Sequence, residues 1–219
     1  VEELRAALVC LEYCIYIGEG TCPDWAIDAE AMINNHSPCA PSTRGGNEMA
    51  GIFYTGGTTG FPKGVMQSHS AIWASGMGSL PMFGMTRESR YLHVAPMFHM
   101  ADFAGGMGAT LSAAQNVVLQ GFDPVAVMAT VAEQKITHAL LVPAMIKMLL
   151  DHPDIAATDF SSMEKIIYGA SPMPAATLQR CMELWPHIGM VQAYGQTELA
   201  PVATMLSPAD HRRGGQILK

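Results

Sequence analysis

Tyr54-Thr55-Gly56-Gly57-Thr58-Thr59-Gly60-Phe61-Pro62-Lys63-Gly64 follows directly on the apolar residues Gly51-Ile52-Phe53. Glycine lets a backbone fold back on itself and come close to a ligand. Successive N–H groups turned the same way form a concave anion site. The threonines add hydroxyl donors, and Lys63 adds a mobile point charge suited to phosphate. The stretch therefore reads as a strand, 51–55, that feeds a loop built to hold a polyphosphate, with ATP as the expected ligand. A plain surface turn is the competing structural reading. The loop is not a Walker A loop, which needs Gly-Lys followed by Ser or Thr at the opening of a helix. Here Pro62, which has no N–H to donate, precedes the lysine and Gly64 follows it. Nor do Gly56, Gly57 and Gly60 make the G-x-G-x-x-G fingerprint of dinucleotide sites.

Outward from this loop, apolar and polar segments alternate. Ser68 is placed to cap a helix running to about Phe83. Strands are predicted at 11–18, 90–95, 116–119, 138–142, 163–168 and 188–193, and helices at 100–114, 143–151 and 175–185. Asp123-Pro124 is a strong helix start, with an acceptor side chain at the cap and proline in the first turn. That helix is predicted to reach Gln134, with Val125, Ala129 and Ala132 on one face. A short helix and a loop are expected over 21–41, and 37–47 reads as a linker. Strands alternating with helices of this length predict an α/β fold, a mostly parallel sheet flanked by helices. Ligands of such sheets sit beyond the carboxyl ends of the strands.

Three further segments fall just after predicted strands: Pro96-Met97-Phe98-His99, Tyr168-Gly169-Ala170-Ser171-Pro172 and Tyr194-Gly195-Gln196-Thr197-Glu198. Together with Thr55 to Gly64, and in this order, they resemble the motifs of the AMP-forming acyl-CoA synthetases, the fatty-acid–CoA ligase-like branch of the adenylate-forming superfamily. Gly56 stands where many members carry serine. The resemblance covers most of the chain and is weakest over the first 45 residues. It implies that residues 1–219 are a partial N-terminal AMP-binding domain, with the mobile C-terminal domain absent. The opening on Val1 and the close on Lys219 without a finishing element are in keeping with a cut from a longer parent. All four motifs are expected to converge on one rim.

The resemblance also implies roles. Thr55, Gly56, Gly57, Thr58, Thr59, Gly60 and Lys63 would hold the β- and γ-phosphates. Glu198 would meet Mg²⁺, a cation that prefers one or two carboxylates plus substrate phosphates, and Thr197 would contact the α-phosphate. Tyr194 offers a flat face to a purine, and Gly169, Ala170, Ser171 and Gly195 leave room for adenine to approach. His99 would lie between the acyl pocket and the reacting carboxylate. The implied reaction joins a carboxylic acid to ATP and then to coenzyme A, with a medium- or long-chain fatty acid expected and an aryl or terpenoid acid left open. A homodimer of the parent is one assembly it allows. His69 and His93 are read as structural, and His36 is given no role.

Composition narrows the classes. The net charge of −7 argues against a nucleic-acid partner, which wants a basic patch. Five cysteines at irregular spacing, without a C-x-x-C pair, read as reduced buried thiols of a cytoplasmic protein. The apolar run 139–150 is too short to span a bilayer. The seventeen methionines read mainly as adaptable core filler. Two family features are missing: nothing after residue 198 matches the T-G-D segment, and Lys63, Lys135, Lys147, Lys165 and Lys219 include no candidate for the catalytic lysine of the C-terminal domain. The 219-residue chain alone is therefore expected to be inactive. Two other readings compete: a serine hydrolase built on Ser171, whose Gly169-Ala170-Ser171-Pro172-Met173 lacks the final glycine of a nucleophile elbow, and a non-catalytic nucleotide-binding module.

Overall fold

The structure is a computed structural model and describes residues 2–56 and 60–215. The chain divides into two units, 1–43 and 44–219. In the first, helix α1 (Glu2–Ala7) precedes two short parallel strands, β1 (Ile15–Tyr16) and β2 (Ile27–Asp28), and helix α2 (Ala29–Asn35). Asp28 caps α2 by accepting from the Ala31 N–H at 2.8 Å. The strand expected over 11–18 shrinks to Ile15–Tyr16. The apolar residues on either side, Leu11 and Ile17, are exposed, and the Tyr16 hydroxyl accepts from the Gly20 N–H, closing the chain into a turn instead.

The second unit opens with an antiparallel hairpin, β3 (Met49–Thr55) and β4 (Lys63–Ser68), in which Thr55 faces Lys63 and Gly51 faces Gln67. This corrects one expectation. The strand before the glycine-rich loop lies in a separate ribbon, because the residues after the loop fold back and pair with it. Helix α3 (His69–Phe83) follows, capped by Ser68 through the Ala71 N–H and ended by Gly84 in the left-handed conformation at φ 64°. Then come β5 (Arg90–His93), α4 (Met100–Leu111), β6 (Gln115–Val118), α5 (Pro124–Gln134), β7 (His138–Leu140), α6 (Pro143–Leu150), β8 (Lys165–Gly169), α7 (Ala175–Leu184), β9 (Gly189–Gly195), β10 (Val202–Leu206) and α8 (Pro208–Arg213). The last strand and helix were not anticipated. Strand order is β10-β9-β8-β7-β5-β6, parallel except for β10, which pairs antiparallel with β9 at the edge.

Both faces of this sheet are covered, so successive strand residues are apolar rather than alternately polar. Leu92, Ala139, Ile166 and Met190 point to one face and join Val131, Ile136, Ile146 and Leu149. Their neighbours Tyr91, Leu140, Ile167 and Val191 point to the other and pack with Phe83, Met85 and Ala109. Asp123 caps α5 at 2.8 Å from the Ala126 N–H, as the Asp-Pro start predicts. The packed face of α5 is Val127, Met128 and Val131. Val125 and Ala129 lie on the exposed side, because the sheet takes up the stripe of larger side chains.

Candidate nucleotide and acyl site

Three of the four motifs meet where the parallel strands end. A cavity of about 210 Å³ is lined by His99 from the β5–α4 connection, Gly169 and Ala170 from the end of β8, and Tyr194, Gly195 and Thr197 from the end of β9. Apart from Gln196, its remaining wall is apolar and includes Phe83, Ala101, Ala104, Leu140 and Val202. Ligand pockets usually span about 300–1,000 Å³, so this one encloses a flat ring or part of an acyl chain rather than a whole nucleotide.

Backbone proximity explains the glycines here. A Cβ on Gly169 would stand 2.2 Å from the Ala193 carbonyl oxygen, and one on Gly195 would stand 1.9 Å from that of Pro201. Only glycine fits where backbones approach so closely. Ala170 and Ala200 hold left-handed φ values of 64° and 61°, a conformation that costs a non-glycine residue about 1–2 kcal/mol. Ala113 and Lys135 hold similar values at helix ends away from the cavity, so the conformation by itself does not mark the site. Tyr194 is 65% exposed, so its ring is open to a stacking partner.

His99 is the N-cap of α4. Its Nδ1 accepts from the Ala101 N–H at 3.3 Å, so a neutral ring carries its proton on Nε2. The remaining site candidates lie outside the cavity lining. Ser171 and Glu198 are exposed next to lining residues. Thr55, Gly56, Gly60 and Lys63 sit on the hairpin, where the Thr55 hydroxyl donates to the Lys63 carbonyl at 3.4 Å. Gly57, Thr58 and Thr59 lie outside the described residues. Convergence on one rim thus holds for three motifs; the fourth approaches on its own ribbon.

The link between that ribbon and the rim is a residue the sequence did not mark. Gln67 on β4, 4% exposed, donates from Nε2 to the Thr197 carbonyl at 2.5 Å. The bond ties the strand that starts at Lys63 to the 3-10 turn 197–199 that carries Glu198. The sequence carries no clear signal for it, because β4 already contains the polar residues Lys63 and Ser68.

A second feature also escaped the sequence. Asp102 is fully buried and accepts from the Tyr91 hydroxyl at 3.0 Å and from His93 Nδ1 at 2.6 Å, while His93 Nε2 is hydrogen-bonded to the Asn116 side-chain amide at 2.8 Å. Burial by itself would pull the His93 ring down. Its hydrogen bonds to Asp102 and Asn116 and the Asp102 charge outweigh that and hold it above its ordinary value. Burial and the same carboxylate push the Tyr91 phenol well above its usual range.

The hydrolase reading finds no support in the geometry. Downstream of Ser171, His187 bonds the Phe160 carbonyl, and His211 bonds the Tyr168 hydroxyl and the Ser207 carbonyl; neither reaches the serine. The cysteine expectation needs correcting. All five thiols are free, yet only Cys181 is buried, and Cys10 and Cys39 are exposed because they fall in the thinly packed first 43 residues. No helix among the described residues is long and apolar enough to cross a membrane.

Comparison with known proteins agrees with this arrangement. The chain is 35% identical over 185 residues to the medium/long-chain-fatty-acid–CoA ligase FadD8 of Mycobacterium tuberculosis, a match covering 84% of this chain and 32% of the relative. Its fold superimposes on the N-terminal domain of FACL13 from Mycobacterium tuberculosis with a TM-score of 0.78 and 26% identity, over 86% of this chain and 48% of that one. It superimposes on o-succinylbenzoate coenzyme A synthetase (MenE) of Bacillus subtilis, solved with ATP and magnesium ion, with a TM-score of 0.75 and 25% identity, over 86% and 39%. The chain spans about a third of the length of the curated relatives it matches. The family model described as AMP-binding enzyme matches residues 2–218. Sequence, strand order and the shared rim agree: this chain belongs to the AMP-binding, adenylate-forming enzyme family.

Proposed function

We propose that the protein containing this chain activates a carboxylic acid with ATP and transfers the acyl group to coenzyme A. A carboxylate oxygen attacks the α-phosphorus, the bond to the β-phosphate breaks, and pyrophosphate leaves. The coenzyme A thiol then loses its proton to solvent as sulfur attacks the acyl carbon, and AMP leaves. Attack on phosphorus between anions needs charge neutralisation and positioning more than proton transfer. The observation that carries this reading is the meeting of His99, Gly169, Ala170, Tyr194, Gly195 and Thr197 around one cavity at the carboxyl ends of parallel strands.

In this reading adenine lies against Tyr194 and the exposed backbone at 169–171, and Thr197 meets the α-phosphate. The loop 55–60 and Lys63 hold the pyrophosphate end. Among the described residues no group of three His, Cys, Asp or Glu side chains is placed to cage a metal. The single exposed carboxylate of Glu198 suits Mg²⁺ only as a partner of nucleotide phosphates; bound there, the cation would neutralise phosphate charge. His99, with Nε2 free to donate, would orient the carboxylate at the cavity mouth.

The apolar wall of Phe83, Ala101, Ala104, Leu140 and Val202 favours an apolar acid. A medium- or long-chain fatty acid is our first choice, on the relation to FadD8, and an aryl acid is the second, on the likeness to MenE. Residues 1–219 form part of the N-terminal AMP-binding domain of a longer protein whose mobile C-terminal domain supplies the remaining catalytic lysine. The exposed free thiols of Cys10 and Cys39 are in keeping with a reducing, cytoplasmic setting. The test is acid-dependent pyrophosphate release and acyl-CoA formation by the full-length protein, assayed across alkyl and aryl acids. ATP binding without turnover on any acid would favour a non-catalytic module instead.

A further inference from the structure

Helix α4 separates two cavities. Ala101 and Ala104 line the site described above, while Asp102 and Gly106 line a second cavity of about 340 Å³ together with His93 and Asn116. At that second side the helix is held by a closed set of hydrogen bonds. His93 Nδ1 meets Asp102 Oδ2 and its Nε2 meets the Asn116 side-chain amide. An ionised carboxylate accepts only, so Nδ1 carries a proton and donates to Asp102.

The groups facing His93 are Asp102 from α4, Asn116 from β6 and the Tyr91 ring from β5, which stands edge-on at 4.7 Å. The next turn of α4 is shaped to admit this arrangement. A Cβ on Gly105 would fall 1.9 Å from the Tyr91 hydroxyl oxygen, and one on Gly106 would fall 3.0 Å from His93 Cε1. Asp102 is the third residue of α4, a position where an acid commonly turns back to cap the helix. Instead, its two oxygens go to Tyr91 and His93, and the capping falls to His99. One helical turn rigidly joins Asp102 to His99.

We infer that Asp102, clamped by Tyr91 and His93 in the space left by Gly105, is a positioning residue that fixes the first turn of α4 and thereby sets the orientation and tautomer of His99 at the cavity mouth. The inference rests on the site reading only for its consequence; the clamp itself is decided by a spectroscopic test that needs no turnover.

Long-range ¹⁵N–¹H imidazole spectra of the 219-residue chain should show His93 holding a proton on Nδ1 and the neutral form of His99 as the Nε2–H tautomer. In Asp102→Asn, His93 should lose its fixed protonation on Nδ1 and His99 should lose its single-tautomer signature, averaging between the two neutral forms. Tyr91→Phe removes one hydroxyl and should move the His99 signals in the same direction by a smaller amount. A His99 pattern unchanged in Asp102→Asn while His93 changes would overturn the inference, leaving the cluster a purely structural ion pair. If Asp102→Asn does not fold, unchanged His99 signals in Tyr91→Phe would overturn it equally.

Discussion

Replacing Gln67 with leucine probes the only side-chain hydrogen bond found between the hairpin and the site rim among the described residues. The substitution keeps the apolar stem and removes the donor that meets the Thr197 carbonyl. An acceptor left without its partner costs about 1–3 kcal/mol. Thr197 is only half-buried, so water regains part of that, and about 1–2 kcal/mol is expected. Lys63 lies four residues along β4 from Gln67, about 13 Å of strand, so its position relative to Glu198 depends on this anchor. ATP affinity of the full-length protein should fall about tenfold, which corresponds to 1.4 kcal/mol. AMP affinity should fall less, because adenine is assigned to Tyr194 and the backbone at 169–171, and of the AMP contacts only Thr197 sits at the broken bond. Isothermal titration with both nucleotides and urea denaturation separate the two effects. Equal losses for ATP and AMP, or a destabilised variant that binds ATP normally, would refute the reasoning.

Three other outcomes follow from the same geometry. Burial, and then the nearby Lys165 charge, lower His138 from 6.5 to about 4, so below pH 6.5 the unfolded chain takes up a proton that the folded chain refuses. Stability from this group is complete above pH 6.5 and should decline by about 3 kcal/mol by pH 4; parallel urea-midpoint profiles for wild type and His138→Gln would contradict it. Gly195→Ala sets a Cβ against the Pro201 carbonyl, and a cost of about 3 kcal/mol or more is expected by urea denaturation, whereas Gly60→Ala, in open space, should be tolerated. Lys63→Ala and Glu198→Ala in the full-length protein should each cut pyrophosphate release at least tenfold, the loss of one charge-assisted contact of about 1.5–3 kcal/mol; near-normal rates in both would remove these residues from the site.

The parts of the fold that rest on local chemistry were legible in the sequence. Ser68 and Asp123 cap their helices because a short acceptor side chain before an apolar run has one good use. The parallel sheet followed from strands alternating with helices. What escaped depends on partners far along the chain. Whether 51–55 joins the main sheet or a hairpin is decided by the residues after the loop, which carry no turn signal of their own. The packed face of α5 was misjudged because small residues recur at helical spacing on its outer side as well. His93 reads as structural from sequence, yet its carboxylate partner is nine residues away on another element, and no spacing rule links a strand residue to the first turn of the following helix. Gln67 reaches a carbonyl 130 positions on. Three of the four motifs could be placed on one rim because each follows a strand of the same sheet.

The central claim is that the hairpin loop and the turn bearing Glu198 grip the same polyphosphate. Mn²⁺ in place of Mg²⁺ broadens nearby NMR signals, so titrating Mn²⁺·ATP into the ¹⁵N-labelled 219-residue chain reads proximity to both at once. The account predicts that the amides of Gly60, Lys63, Thr197 and Glu198 broaden together, while those of α7 stay sharp. Broadening confined to one of the two segments, in a chain that binds the nucleotide, would contradict it.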